Sequence, residues 1–182
     1  MAYYTVTGIV KRGIPVLCVA AIIGTMAGQM LQLRQELLIN FSVLLILIPP
    51  LIKIGGDTGS ILGARLSTAF RLGLVDSIGS VVVRNSVLAC LLIGFVACLM
   101  LSVVVWMAAI ALNIDVVYGT LLKLTLVAGS IDIAVVFALT ICIAFLAHKY
   151  GLDPDDVVIP ITTSIGDIVG IVSVFVAIRM VM

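Results

Sequence analysis

Charge is the scarce ingredient of this 182-residue chain. Aspartate, glutamate, lysine and arginine together make up 10% of it, against 63% apolar residues. A soluble domain is nearer half apolar and a quarter charged, so this shortage excludes an ordinary water-soluble fold and requires an integral membrane protein. Short alternating strands are missing as well, which excludes a β-barrel and leaves helices as the spanning element. Net charge is +1 and no basic tract occurs, so nucleic acid is not a partner. The four cysteines (Cys18, Cys90, Cys98, Cys142) lie in apolar runs without a C-x-x-C pair, and they read as small buried hydrophobes. The single histidine, His148, stands beside Lys149 at a span end, where it reads as a solvated interfacial residue rather than a metal ligand. Aromatics are 6% of the chain with one tryptophan, Trp106, too few for a roomy aromatic-lined cavity.

What is present is a series of long apolar runs. Five spans are expected, at about 13–33, 37–55, 85–111, 118–147 and 157–181, forming one all-α transmembrane domain over residues 1–182. The first run has span length and no clear A-x-A site, so it is not a secretory signal. Residues 1–12 read as a short leader. The Gly/Ser-rich stretch after the second span, with Arg65, Arg71 and Arg84, is too polar to face lipid throughout. It is expected to extend the second helix past the membrane and then lie along the interface. Counting basic residues places Lys11, Arg12, Arg65, Arg71, Arg84 and Lys149 on one side and Arg34 and Arg179 on the other. That asymmetry predicts a multi-pass cell-membrane protein with its N-terminus cytoplasmic and its C-terminus extracytoplasmic. No internal repeat is present, so a pore with two equivalent halves requires a homodimer.

The chemistry concentrates in the fifth span. Asp167 lies about ten residues into it, roughly 15 Å along the helix and near the midplane of a ~30 Å core. A carboxylate there costs at least ~2.5–3.5 kcal/mol, which directs it to an ion path or a partner charge. Asp153 or Asp155 can cap this helix, Pro154 suits its first turn and Asp156 favours its positive end. Pro160, Thr163, Ser164, Asp167 and Gly170 recur at spacings of three and four and share one face, with Ile161, Ile165, Ile168 and Val172 opposite. Hydroxyls, a carbonyl freed by Pro160 and one carboxylate suit a hard cation that keeps part of its water, Mg2+ above all. The alternative is that Thr163, Ser164, Gly166 and Gly170 serve close helix packing, which leaves Asp167 unexplained.

Two further acids sit at membrane depth. In the second span, IPPLIKIGGDTGS carries Pro49 and Pro50, expected to interrupt the helix, then Gly55, Gly56 and Gly59, which permit close approach. Asp57 lies one turn from Lys53, and an intrahelical ion pair is one reading of it. The run is no phosphate loop, since no strand precedes it and no G-K-[ST] follows. Asp132, near the centre of the fourth span, reads as part of a second ion site or a proton relay, or as a partner of Lys53 or Lys123.

Two segments, PPLIKIGGDTGSILGARLSTAFRLG and GLDPDDVVIPITTSIGDIVG, resemble the membrane domain of MgtE-type magnesium transporters, and more closely their archaeal and eukaryotic solute-carrier relatives. The resemblance covers nearly all of the chain. It implies two five-helix units paired around a central ion path lined by the second and fifth helices. It implies Asp167 as the acid that holds the hydrated ion, Pro160 and Thr163 as its neighbours, and Gly56 and Asp57 in the glycine-rich segment of the second helix. Asp57 and Ile61 stand where bacterial members often carry asparagine and glutamine. With about twelve residues before the first span, the cytoplasmic magnesium sensors of bacterial members are not expected here, and a single unit implies a homodimer.

The expected function is therefore non-enzymatic transport of a divalent cation, Mg2+ first and Mn2+ or Co2+ as alternatives. The expected metal residues are Asp167 and Asp57, with Pro160, Thr163, Ser164, Gly55, Gly56 and Gly170 in support and Asp132 as a possible second site. The expected partners are membrane lipid, the ion and a second copy. Two other classes compete: a proton-coupled carrier of a small organic solute, and a non-transporting assembly subunit whose acids only pair with Lys53 and Lys123.

Overall fold

The computed structural model describes residues 5–75, 77–152 and 154–181, and within them all regular structure is helical. The elements are α1 (Val6–Gln32), α2 (Gln35–Asn40), α3 (Val43–Arg71), α4 (Val81–Ala111), α5 (Tyr118–Lys149) and α6 (Pro154–Val181). Five of them, all but the short α2, are long and apolar enough to cross a membrane. The all-helical, five-span expectation holds.

The ends of the helices differ from the sequence reading for local reasons. Helix α1 begins at Val6 rather than near residue 13, because the Thr5 hydroxyl accepts from the Gly8 amide and caps it. The residues expected to open the second span form the separate α2, and α3 starts at Val43. Helix α3 then runs through Pro49 and Pro50 without a break, against the expected interruption. The prolines withdraw two amide donors, so the carbonyls one turn earlier, those of Leu45 and Ile46, lose their helical partners while the helix continues. Past the expected limit at residue 55, Leu62, Leu66, Ala69 and Phe70 recur at helical spacing and are buried, so the helix continues to Arg71. The polar stretch thus does extend the second helix, and α4 begins at Val81, where the Ser80 hydroxyl accepts from the Val83 amide.

Three helices stop by the same device. Gly73, Asn113 and Gly151 take positive φ just beyond α3, α4 and α5. The next residue's amide then reaches back five positions: Leu74 to Ala69, Ile114 to Ala109, and Leu152 to Ala147, at 2.9–3.0 Å. A left-handed residue followed by this bond satisfies carbonyls that would otherwise end bare. Asp153, a candidate cap of α6, and the side chain of Asp156 lie outside the described residues. Asp155 sits in the first turn of α6 and accepts from Arg71 at the end of α3, 2.7 Å away.

Helix α3 is the hub and packs on α4, α5 and α6, while α6 also packs on α5 and α1. Two apolar clusters fill the bundle. One gathers Leu44, Leu47, Leu51, Leu121, Leu124, Val174 and Ala177 at the end holding the N-terminus of α3. The other gathers Leu62, Leu66, Phe70, Phe137, Ala144 and Val158 at the opposite end. His148 stacks on Phe70 with ring centroids 4.4 Å apart, an exposed residue at the α5 terminus as its sequence position implies. Cys90 and Cys98 are buried, but Cys18 and Cys142 are exposed, which corrects the reading of all four as buried. Outward faces of spanning helices meet hydrocarbon, so a small apolar residue is acceptable there without protein cover.

Candidate functional site

Between the two apolar clusters lies a belt where the intramembrane charges and the glycines of α3, α5 and α6 coincide. Helix α3 begins about ten residues before Lys53, so this lysine, like Asp167, lies roughly 15 Å along its helix. Lys53 Nζ donates to Asp167 Oδ1 at 2.6 Å, joining α3 to α6. The lysine side chain is 53% exposed and the aspartate 22%. The local alternative, an ion pair between Lys53 and Asp57, is not formed. Asp57 is exposed on the same side of α3, one turn further on.

The crossing of α3 with α6 explains why the distant partner is reached. A Cβ on Gly166 would come 2.9 Å from the Gly56 Cα, and one on Gly170 would come 2.8 Å from the Ile52 Cα. A Cβ on Gly56 would meet the backbone of Thr163 at 3.4 Å. Glycines therefore bring the two backbones nearly into contact, and a lysine on one helix reaches a carboxylate on the other. Gly56 and Gly170 accordingly lie in the seam between helices, together with Gly166.

The stripe read along α6 divides in the fold. Pro160, Thr163 and Asp167 are partly open, whereas Ser164 is buried at 7% exposure and Gly170 is buried against α3. Both hydroxyls are bonded to the preceding turn. Thr163 Oγ1 lies 3.0 Å from the carbonyls of Ile159 and Pro160, and Ser164 Oγ donates to Pro160 at 2.8 Å. Such back-bonding uses the hydroxyl proton and leaves oxygen lone pairs to face a cation or its water. Thr163 is partly exposed, whereas Ser164 is buried. On α3, Ser60 Oγ likewise donates to the Gly56 carbonyl at 2.8 Å.

Asp132 has a different setting. It is buried at 1% exposure, and neither carboxylate oxygen has a hydrogen-bond partner. Its carboxylate lies directly against Gly55, where any Cβ would collide with it. Asp132 pairs with neither Lys53 nor Lys123, and Lys123 is exposed. Gly55 is thus small because it admits this carboxyl group.

The belt brings together Lys53, Gly55, Gly56, Asp132, Thr163 and Asp167, with Asp57 one turn away. Among the described residues, no three His, Cys, Asp or Glu side chains gather into a metal cage. Sequence reading treated Lys53 only as a neutralising partner near a span end. The signal for its weight is the one used for Asp167, a charged residue about 15 Å inside a helix, and it appears once α3 is seen to start at Val43.

The structure is a bundle with five helices long and apolar enough to cross a membrane, and charged groups about 15 Å inside such helices face an ion path or a partner charge. The family model for MgtE, a divalent cation transporter, matches residues 48–177, and the chain belongs to that family. Solute carrier family 41 member 3 of Rattus norvegicus is 32% identical over 140 residues, which cover 69% of this chain and 28% of the relative. Its Mus musculus counterpart is 30% identical over 141 residues, 69% of this chain and 27% of the relative. The chain therefore spans just over a quarter of the length of these curated relatives. No solved structure matches it. The family resemblance expected from the two motifs is borne out, and the match takes in the whole belt.

Proposed function

We propose that this chain transports divalent cations, Mg2+ foremost, along a path that two copies complete between their α3–α6 faces. The observation that carries the reading is the open side of those helices. Lys53, Asp57 and Asp167 carry formal charges at or near mid-depth and are incompletely covered within one protomer. Hydrocarbon does not solvate such groups, so a second copy or a water-filled path has to face them. Asp167 contacts the ion or its water shell, and Thr163 adds oxygen lone pairs beside it. Asp57 supplies negative charge toward one mouth. Pro160 and Ser164 shape this wall of α6, and Gly55, Gly56 and Gly170 set the closeness of the helices. Asp132, behind the wall, is a second titratable or ion-binding group.

With the N-terminus cytoplasmic in a cell membrane, an inside-negative potential favours cation entry by ~2.3 kcal/mol per charge per 100 mV. No bond is made or broken in such a process, so no catalytic residue is required. The 2.6 Å contact between Lys53 and Asp167 favours one competing reading, an assembly subunit whose acids are only neutralised. Reconstitution separates the two. Proteoliposomes holding the protein take up Mg2+ with Mn2+ and Co2+ as competitors if it transports. Uptake no faster than that of empty vesicles for all three ions, with a monodisperse protein, supports the assembly reading instead.

A further inference from the structure

Lys53 lies on Asp167, the carboxylate proposed to contact the ion directly, and that position has a use. We propose that the Lys53 ammonium is a built-in occupant of the Asp167 carboxylate, displaced to Asp57 when a divalent ion arrives, and that it thereby sets selectivity against monovalent cations. The proposal rests on the reading of Asp167 as the ion-contacting acid.

Three observations support it. The ammonium is in contact with Asp167 at 2.6 Å, yet the lysine side chain is 53% exposed, so a flexible stem ends on the accessible side. Asp57 follows Lys53 by four residues on the same face of α3, within reach of the same ammonium, and is exposed. The formal charges also close: two acids against one lysine leave each protomer's face with one negative charge, and two such faces balance one divalent ion.

Selectivity follows from competition at a single carboxylate. A tethered ammonium competes at an effective concentration in the millimolar range or above. Sodium or potassium would exchange one single charge for another and gain little. A divalent ion attracts the carboxylates of both copies at once, and the displaced ammonium finds Asp57 rather than hydrocarbon. Lysine suits this role because it is a compact point charge on a movable stem, whereas arginine would hold a carboxylate in a fixed fork.

The test is magnesium binding to the purified full chain in nanodiscs, by calorimetric titration with MgCl2 in the absence and presence of NaCl. Lys53→Met is expected to bind Mg2+ about five- to tenfold more tightly and to become sensitive to NaCl. Lys53→Arg is expected to bind Mg2+ more weakly than the native chain. If Lys53→Met does not fold, Lys53→Gln takes its place with the same expectation. Unchanged or weaker Mg2+ binding in a folded neutral variant, with no gain in NaCl sensitivity, overturns the proposal. Asp167→Asn separates the two layers of inference. Retained Mg2+ binding in that variant removes Asp167 as the ion-contacting acid, and lost binding combined with an unaltered Lys53→Met removes only the role of the lysine.

Discussion

At the scale of single residues, the most informative pair is Gly55 and Asp132. A carboxyl group held at 1% exposure with no hydrogen-bond partner costs free energy, and the fold makes room for it by keeping Gly55 free of a side chain. Gly55→Ala forces Asp132 or one of the two helices to move. It is expected to lower stability by about 1–3 kcal/mol, read as a drop in melting temperature in detergent. Asp132 and Asp167 were legible in the sequence as charges in apolar runs. The partner of Lys53 was not, because spacing along one helix points to Asp57, whereas the pair that forms depends on how closely α3 and α6 approach.

At the scale of the elements, the crossing of α3 and α6 positions everything in the belt. Gly56 and Gly166 meet backbone to backbone, and Gly170 meets Ile52 one turn along α6. Gly166→Val inserts a branched side chain into that seam. It is expected to cost about 2 kcal/mol or more and to separate Lys53 from Asp167. Thermal melting measures the first effect, and a shift in the Mg2+ affinity of the surviving folded fraction measures the second. The packing role of these glycines was visible in the sequence as small residues at helical spacing. Their seating inside one protomer was not, since the same pattern serves contacts within a bundle and between copies. The apolar runs gave the number of spans, but they set the ends of α1 and α3 poorly. Those ends depend on the Thr5 cap and on an amphipathic continuation beyond Gly56 that mean hydropathy dilutes.

At the scale of the whole molecule, the belt lies between two apolar clusters, and charged residues on the open side of α3 and α6 require cover in a membrane. The proposed second copy, facing that side, would provide it by symmetry. Ile61 is on this side of α3 and 44% exposed. With Cys18 and Cys142 replaced by alanine, Ile61→Cys is expected to give an oxidised, disulfide-linked dimer in native membranes, detected as a doubled mass under non-reducing conditions. A species that stays monomeric under strong oxidation contradicts the facing arrangement.

The proposed transport function depends on Asp167 more than on any other side chain. The most direct measurement is Mg2+ uptake into proteoliposomes under an inside-negative potential, comparing the native chain with Asp167→Asn at matched, monodisperse reconstitution. Loss of a charge-assisted contact of about 1.5–3 kcal/mol predicts uptake reduced by about tenfold or more. Native uptake rates in the folded Asp167→Asn protein would contradict the assignment of Asp167 to the ion path.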